Sequence, residues 1–483
     1  MYRAIITIGT ISVSISVLVA LASLSSASRE TEQEKQLRRS SMPVVNISHS
    51  VNDMQSMPSV ATSVRKPLFG LISEQKDYAD MRENMRIFIY PHEHLRMPLT
   101  REQVKMVDKG HAPRLVHDEG NGTFSIPIES DFIPFPSDGT FQAGSVIVNN
   151  MRSTPGLLTK NPKGAQFFFI PVSCSGIREV AVSRRSGGVL AEMALSYYID
   201  HISHAYPHWN ETMGANHFYI CMHMGAGVSA SSHKMVQKNV IAVVAAGDYS
   251  TLYFSPHKDI SIPPHVASRQ LDALRRKITR DMTETISTRR SLAFFAGRLD
   301  RGRLRPHLTK AYGRDTDIIL RDHMSTSAYV KGLSSTRFCL VPRGTKVNSP
   351  RINEVLAYDC VPVIIADFYH LPYTGIVDWA GFSVIVPEND VDRLKPILES
   401  IPQDTYDELL SNVRKVRAMF EFHTPAAKEG DAFFAFLLML WQKRHVISIE
   451  SFATAYDLMH STDTVESFLS IGTVDSAEGF VSP

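Results

Sequence analysis

Cysteine is scarce in this chain: Cys174, Cys221, Cys339 and Cys360 are the only four in 483 residues. No C-x-x-C pair occurs, which excludes a zinc ribbon, and four thiols are too few for a disulfide-dense scaffold. One or two bridges would still suit an oxidising compartment. Excess charge of one sign is also lacking. Fifty-one basic residues face 49 acidic ones, and the net +2 gives no field to hold nucleic acid. No G-x-G-x-x-G follows an apolar run. Together with an apolar N-terminus, this excludes a soluble cytoplasmic dinucleotide oxidoreductase. There is no internal repeat. What remains is an ordinary globular composition, 43% hydrophobic and 21% charged, on a chain too long for a single core.

The N-terminus bears on the compartment. From Ala4 to Ser28 there is no charge, and Ile5 to Leu24 is mostly apolar. About 20 such residues cross a bilayer as a helix. Arg3 precedes the stretch, so positive charge stays cytoplasmic and the bulk of the chain is lumenal. A cleavable signal is the competing reading, because Ser25 and Ala27 are small residues suited to cleavage. Both readings deliver the folded part to a lumen. The sequons at Asn46, Asn121 and Asn210 agree with that side.

Residues 29–66 are polar and read as a flexible stem; 461–483 read as a loose tail. Between them, short apolar runs alternate with helical patterns. Arg86–Tyr90, Gln166–Ile170, His217–Met222 and Asn239–Ala245 read as strands buried on both faces. A second series runs through Leu292–Ala296, Asp317–Leu320, Arg337–Val341, Val361–Ala366 and Phe382–Val386. Helical stretches fall at Gly188–His204, Met324–Leu333, Pro350–Tyr358 and Val391–Ser400. The alternation predicts an α/β protein with two doubly wound lobes, 67–280 and 281–460, facing a cleft.

The densest chemistry runs from Phe338 to Tyr373. A strand ends at Val341, and a loop follows with Arg343, Gly344 and Lys346. Ser349-Pro350 then opens a helix as N-cap and first residue. A helix start beyond the carboxyl end of a strand is a natural anion site. Glu354, three residues after Arg351, shares its helix face and either pairs with it or meets a ribose. Cys339 and Cys360 lie on neighbouring predicted strands, as a disulfide or as two buried thiols.

This segment resembles the signature of the exostosin glycosyltransferases, glycosyltransferase family 47. The resemblance rests on Phe338-Cys339-Leu340, Pro342-Arg343-Gly344, Ser349, Arg351, Glu354, Cys360-Val361-Pro362-Val363-Ile364 and Tyr369-His370-Leu371-Pro372. Upstream, Phe168-Phe169-Ile170-Pro171, Lys258 to Pro263, Arg290, Phe294 to Arg298 and Arg305-Pro306 continue it, over about residues 86–422. It implies a GT-B architecture of two Rossmann-like domains behind an N-terminal membrane anchor. It also implies an inverting transfer from a nucleotide-sugar donor to a polysaccharide or glycoprotein glycan, with no cofactor and no essential metal. The implied location is the Golgi membrane, single-pass type II, with the catalytic part lumenal. The implied partners are donor, glycan acceptor, the membrane and other glycosyltransferases.

For donor binding, the expected residues are Arg290, Arg305, Arg343, Ser349, Arg351 and Glu354, since guanidinium forks suit a leaving diphosphate. Asp259 is the first candidate for the general base and His223 the second. The chain departs from the family at Met224, where an acid is usual, and between Phe141 and Val148, which contain none. These departures sustain an alternative reading: a catalytically inactive relative that binds glycan or scaffolds a synthase complex.

Overall fold

The computed structural model describes residues 76–444 apart from 91–94, 119, 121, 129–141, 223–232, 252–253 and 266–288. The apolar stretch 4–28, the stem, the tail, Asn46, Asn121 and His223 lie outside the described residues. No described helix is long and apolar enough to cross a membrane.

Two parallel sheets organise the described chain. The first is ordered β5-β1-β6-β7-β8-β9. Its strands are β1 (Ile87–Ile89), β5 (Leu158–Thr159), β6 (Phe167–Ile170), β7 (His217–Ile220), β8 (Ile241–Val244) and β9 (Ile260–Ser261). A small antiparallel sheet, β2 (Arg96–Leu99), β4 (Phe124–Pro127) and β3 (His117–Asp118), was not expected from the sequence. Its strands are too short to show a pattern of alternation. The second parallel sheet is ordered β11-β10-β12-β13-β14. It comprises β10 (Ser291–Ala296), β11 (Ile318–Arg321), β12 (Thr336–Pro342), β13 (Val361–Ile365) and β14 (Val384–Ile385). In β6, β7, β8 and β13 every residue is buried, which is why these strands read as unbroken apolar runs.

The helices used below are α1 (Lys76–Asn84), α2 (Ala143–Ser153), α3 (Arg184–Ala205), α4 (Leu304–Tyr312), α5 (Thr326–Ser335), α6 (Arg351–Ala357), α7 (Gln403–Val416) and α8 (Ala432–Lys443). The last, AFFAFLLMLWQK, is buried from Ala432 to Trp441 and has no polar stripe. Asp431 caps it, accepting from the backbone N–H groups of Phe433 and Phe434. By sequence it belongs with the second lobe, yet it docks on α1. Trp441 Nε1 donates to Asp80 at 3.1 Å, Arg444 to the same carboxylate at 2.8 Å, and the Tyr78 hydroxyl to Glu429. One continuous core joins Ile87 and Phe218 of the first sheet to Phe294 and Ile364 of the second, through α8.

The chain therefore passes between the sheets twice, outward after β9 and back before α8. Asn353, buried on α6, touches both crossings. Its amide donates to the carbonyl of Pro264 at 2.7 Å and to that of Phe420 at 2.8 Å. All four cysteines are paired: Cys174 with Cys221, and Cys339 with Cys360, at Cα separations of 5.7 and 5.9 Å. The second bridge settles the open alternative of two thiols. The first joins cysteines 47 residues apart, and neither lies in the densest motif segment.

Candidate active site

In the second sheet β10 has β11 on one side and β12 on the other, all parallel, so the strand order reverses between β10 and β12. Beyond the carboxyl ends of such a strand pair the connecting loops diverge and leave a crevice. Two cations fill this one. Arg305, in the first turn of α4, is 9% exposed. It donates to the carbonyl of Arg298, in the loop after β10, and to that of Pro342, the last residue of β12, at 3.1 and 3.3 Å. Arg351, at the start of α6, donates to the carbonyl of Ala296, the last residue of β10, and to Ser349 Oγ at 3.3 Å. Both guanidiniums lie over one ring, that of Phe295, at 5.2 and 4.6 Å from its centroid. In the sequence Phe295 stood only within the Phe294 to Arg298 motif and had no role of its own, because an apolar residue in a strand reads as core.

No carboxylate among the described residues forms an ion pair with either group. Nε of each is buried without a partner. Burial, and then the positive charge of Arg351, push the Arg305 guanidinium down to about 10, so it stays charged near neutrality. Two like charges, Arg305 buried and Arg351 partly buried, with Nε donors free, make a setting that suits an anion.

The loops framing the crevice are held together by glycine. Gly302 has φ +72°, and a Cβ there would lie 2.3 Å from the carbonyl oxygen of Gly344. A Cβ on Gly344 would in turn lie 3.0 Å from the Arg305 guanidinium. The loops after β10 and β12 thus meet backbone to backbone against Arg305.

The other expected residues fall differently. Ser349 is buried and its Oγ accepts from the Arg351 N–H at 3.3 Å, but the N-cap position is taken by Pro350, one residue later than expected. Glu354 does not pair with Arg351. Its carboxylate accepts from the Tyr329 hydroxyl of α5 at 2.5 Å, and burial followed by that carboxylate pushes the phenol upward. Arg343 lies beside the crevice but is already neutralised, by Glu388 at 3.0 Å. Glu388 also accepts from the N–H of Asp367, and Asp367 returns the bond to Glu388 N–H, so Arg343 belongs to a brace between the β12 and β13 loops.

Two expectations are corrected. Arg290 is exposed and immediately precedes β10, at the amino end of the sheet. At about 3.3 Å per residue, the six residues of β10 put it roughly 20 Å from the crevice. Asp259 likewise precedes β9, at the amino end of the first sheet. It is 1% exposed, accepts from the N–H groups of Ala242 and Ser255 at 2.9 and 2.8 Å, and is paired with Lys258. A buried carboxylate with both oxygens engaged, at the far end of the strands, fastens β8 to β9 and stands away from the crevice where an acceptor would meet the donor. Asn210 is exposed on the short helix His208–Thr212, with its amide on the Ser203 carbonyl at 3.0 Å.

The model of the Exostosin GT47 domain matches residues 81–401, two thirds of the chain and the whole of both sheets. The chain belongs to the exostosin GT47 family. Among its exostosin relatives, a probable glycosyltransferase of Arabidopsis thaliana is 32% identical over 289 residues, 59% of each chain. The match thus spans less than two thirds of that relative's length. A second probable glycosyltransferase of Arabidopsis thaliana is 28% identical over 418 residues, 86% of this chain and 71% of the other. A probable glucuronoxylan glucuronosyltransferase from the same plant is 27% identical, over 62% of this chain and 67% of its own. Among solved structures, trehalose 6-phosphate synthase from Burkholderia multivorans superposes loosely, with a TM-score of 0.30 and 11% identity over 79% of this chain and 92% of that one.

Proposed function

We propose that this exostosin-family chain is an inverting glycosyltransferase, moving a sugar from a nucleotide-sugar donor to a polysaccharide or glycoprotein glycan. The observation that carries the reading is the pair of uncompensated guanidiniums, Arg305 and Arg351, at the strand-order reversal of the second sheet. A diphosphate is the anion that such a fork-lined crevice suits, with Glu354 and Tyr329 beside it for a ribose. The acceptor hydroxyl oxygen bonds to the anomeric carbon from the face opposite the diphosphate. The bond to the diphosphate oxygen breaks, its electron pair leaves on the phosphate, and the hydroxyl proton passes to a base. Arg305 and Arg351 stabilise the departing charge. With Asp259 engaged elsewhere, the proton acceptor is His223, three residues beyond the carboxyl end of β7.

Relatives named for glucuronoxylan and for β-1,4-xylosyl transfer support a polysaccharide acceptor, xylan-like among the candidates. Two disulfides suit an oxidising lumen, and with the apolar stretch after Arg3 they support a type II Golgi membrane protein. The test is a panel of nucleotide sugars and their nucleoside diphosphates. Calorimetry shows micromolar binding of one diphosphate, and donor hydrolysis or transfer to an oligosaccharide follows. No binding by any member rejects the reading. Binding without turnover on any acceptor favours the scaffold, which the departure at Met224 keeps in view.

A further inference from the structure

Beyond the carboxyl end of β13 the chain makes a turn that presents an aromatic ring where a buried one would be expected. Phe368 is 51% exposed and has φ +61°, a backbone conformation that a bulky residue adopts only when its surroundings force it. What holds it is the loop after β8. Tyr249 N–H donates to the Phe368 carbonyl at 3.1 Å, and His370 N–H to that of Gly247 at 2.7 Å, with Asp248 and Tyr369 paired antiparallel between them. Tyr249 is itself 48% exposed, and its ring meets Phe368 edge to face at 5.6 Å. Ile385, on the edge strand β14, is 54% exposed. Tyr249 and Ile385 both line a groove of about 610 Å³ whose polar side chains include His370, Thr374, Asp378 and Gln442. That volume lies within the range of small-ligand pockets, about 300–1,000 Å³.

From this arrangement we infer that the Tyr249–Phe368 pair and the adjoining groove form an acceptor subsite for a glycan chain. The inference deepens the transferase reading and rests on it for the direction of the chain. A sugar ring offers an apolar C–H face and a rim of hydroxyls. Exposed aromatic faces beside carboxylate, amide and imidazole groups match both. A pair of exposed aromatics, one of them held in strained backbone, is not surface left over from folding. The aromatic turn also lies close to the donor crevice in the second sheet. Pro342 of β12 pairs with Ile365 of β13, and the brace from Arg343 through Glu388 to Asp367 ends one residue before Phe368. Neighbouring strands lie about 4.8 Å apart, so the aromatic turn opens one strand over from the guanidiniums.

The variants are Tyr249→Ala and Phe368→Gly; glycine accepts the left-handed backbone, so removing the ring leaves the turn unstrained. The probe is a panel of soluble hexasaccharides, β-1,4-xylohexaose among them, read by saturation-transfer NMR and calorimetry on the lumenal chain. At least one hexasaccharide binds the unaltered protein. Each variant lowers that affinity about tenfold, while UDP or GDP affinity and the thermal midpoint hold. Equal glycan affinity in both variants, or no binding of any hexasaccharide by the unaltered protein, overturns the subsite. If glycan binding is lost in the variants but no nucleotide binds at all, the subsite stands and the transferase reading falls. If the variants instead change only the oligomeric state, the patch is a protein interface and the inference is wrong.

Discussion

Arginine in this chain divides by what faces it. Arg343 has Glu388, Arg290 has solvent, and Arg305 and Arg351 have carbonyls, hydroxyls and the Phe295 ring but no ion-paired carboxylate among the described residues. Replacing Arg305 or Arg351 by alanine should therefore weaken nucleoside diphosphate binding by about 1.5–3 kcal/mol, the worth of a charge-assisted hydrogen bond. Arg290→Ala should leave affinity unchanged, and Arg343→Ala should act weakly, through the loop it braces. Calorimetry on the four variants checks the order; equal effects at Arg290 and Arg305 would remove the crevice from the donor site. Asp259→Asn carries the opposite signature. It leaves Lys258 without its counter-charge, holding only the Val240 carbonyl and an amide, and costs about 1–3 kcal/mol of stability, while specific activity of the folded fraction is unchanged. Thermal melts and turnover, measured on the same preparation, separate the two. Asp259 also shows where sequence reading stops. Its adjacency to Lys258 and Pro263 is visible, but the N–H groups that fill its lone pairs come from Ala242 and Ser255, and only the fold brings them there.

At the scale of elements, the Cys339–Cys360 bridge ties β12 to the start of β13 and closes a loop holding Arg343, Ser349, Arg351 and Glu354. Replacing both cysteines by serine should cost about 3 kcal/mol by loop-closure arithmetic, with a matching fall in the urea midpoint. Gly302→Ala tests the meeting of the two crevice loops. The added methyl collides with the Gly344 carbonyl and has φ +72° to contend with, so diphosphate affinity should fall even though no ligand-facing group is lost. Strands were legible because burial on both faces leaves an unbroken apolar run. The rest of the site was less so. On a helix, Arg351 and Glu354 at i and i+3 suggest a pair, and the sequence could not show that Tyr329, from another helix, takes the carboxylate. α8 was hidden for a related reason: a helix buried all round has no period to read, and its partner α1 lies some 350 residues earlier.

At the scale of the molecule, two of the described imidazoles are buried and hold no charge near neutrality. His217 donates or accepts at both ring nitrogens, with the Tyr90 hydroxyl at 2.8 Å and Asn216 Oδ1 at 2.9 Å, and is pushed down to about 3 by burial. His265 is pushed down to about 4 by burial, and its Nδ1 has no partner. Unfolding frees both to protonate near 6.5, so the unfolded state binds more protons below that pH. Their contribution is complete above about 6.5 and is lost as pH falls through about 4 for His265 and about 3 for His217, with about 2–3 kcal/mol each already gone at pH 4.5. Urea titrations at pH 7.5 and 4.5 should show the loss, and His217→Gln should reduce it. A midpoint that does not move between the two values would contradict the burial of both rings.

The double passage of the chain between the sheets has a mechanical consequence. A lobe hung from one linker can swing and twist; a lobe fastened at two neighbouring points keeps a single easy motion, rocking about the line that joins them. Asn353 stands on that line, gripping Pro264 on the outgoing strand of chain and Phe420 on the returning one. It also sits two residues along the same helix from Arg351. The grip on both crossings and one cation of the crevice therefore stand on the same short helix.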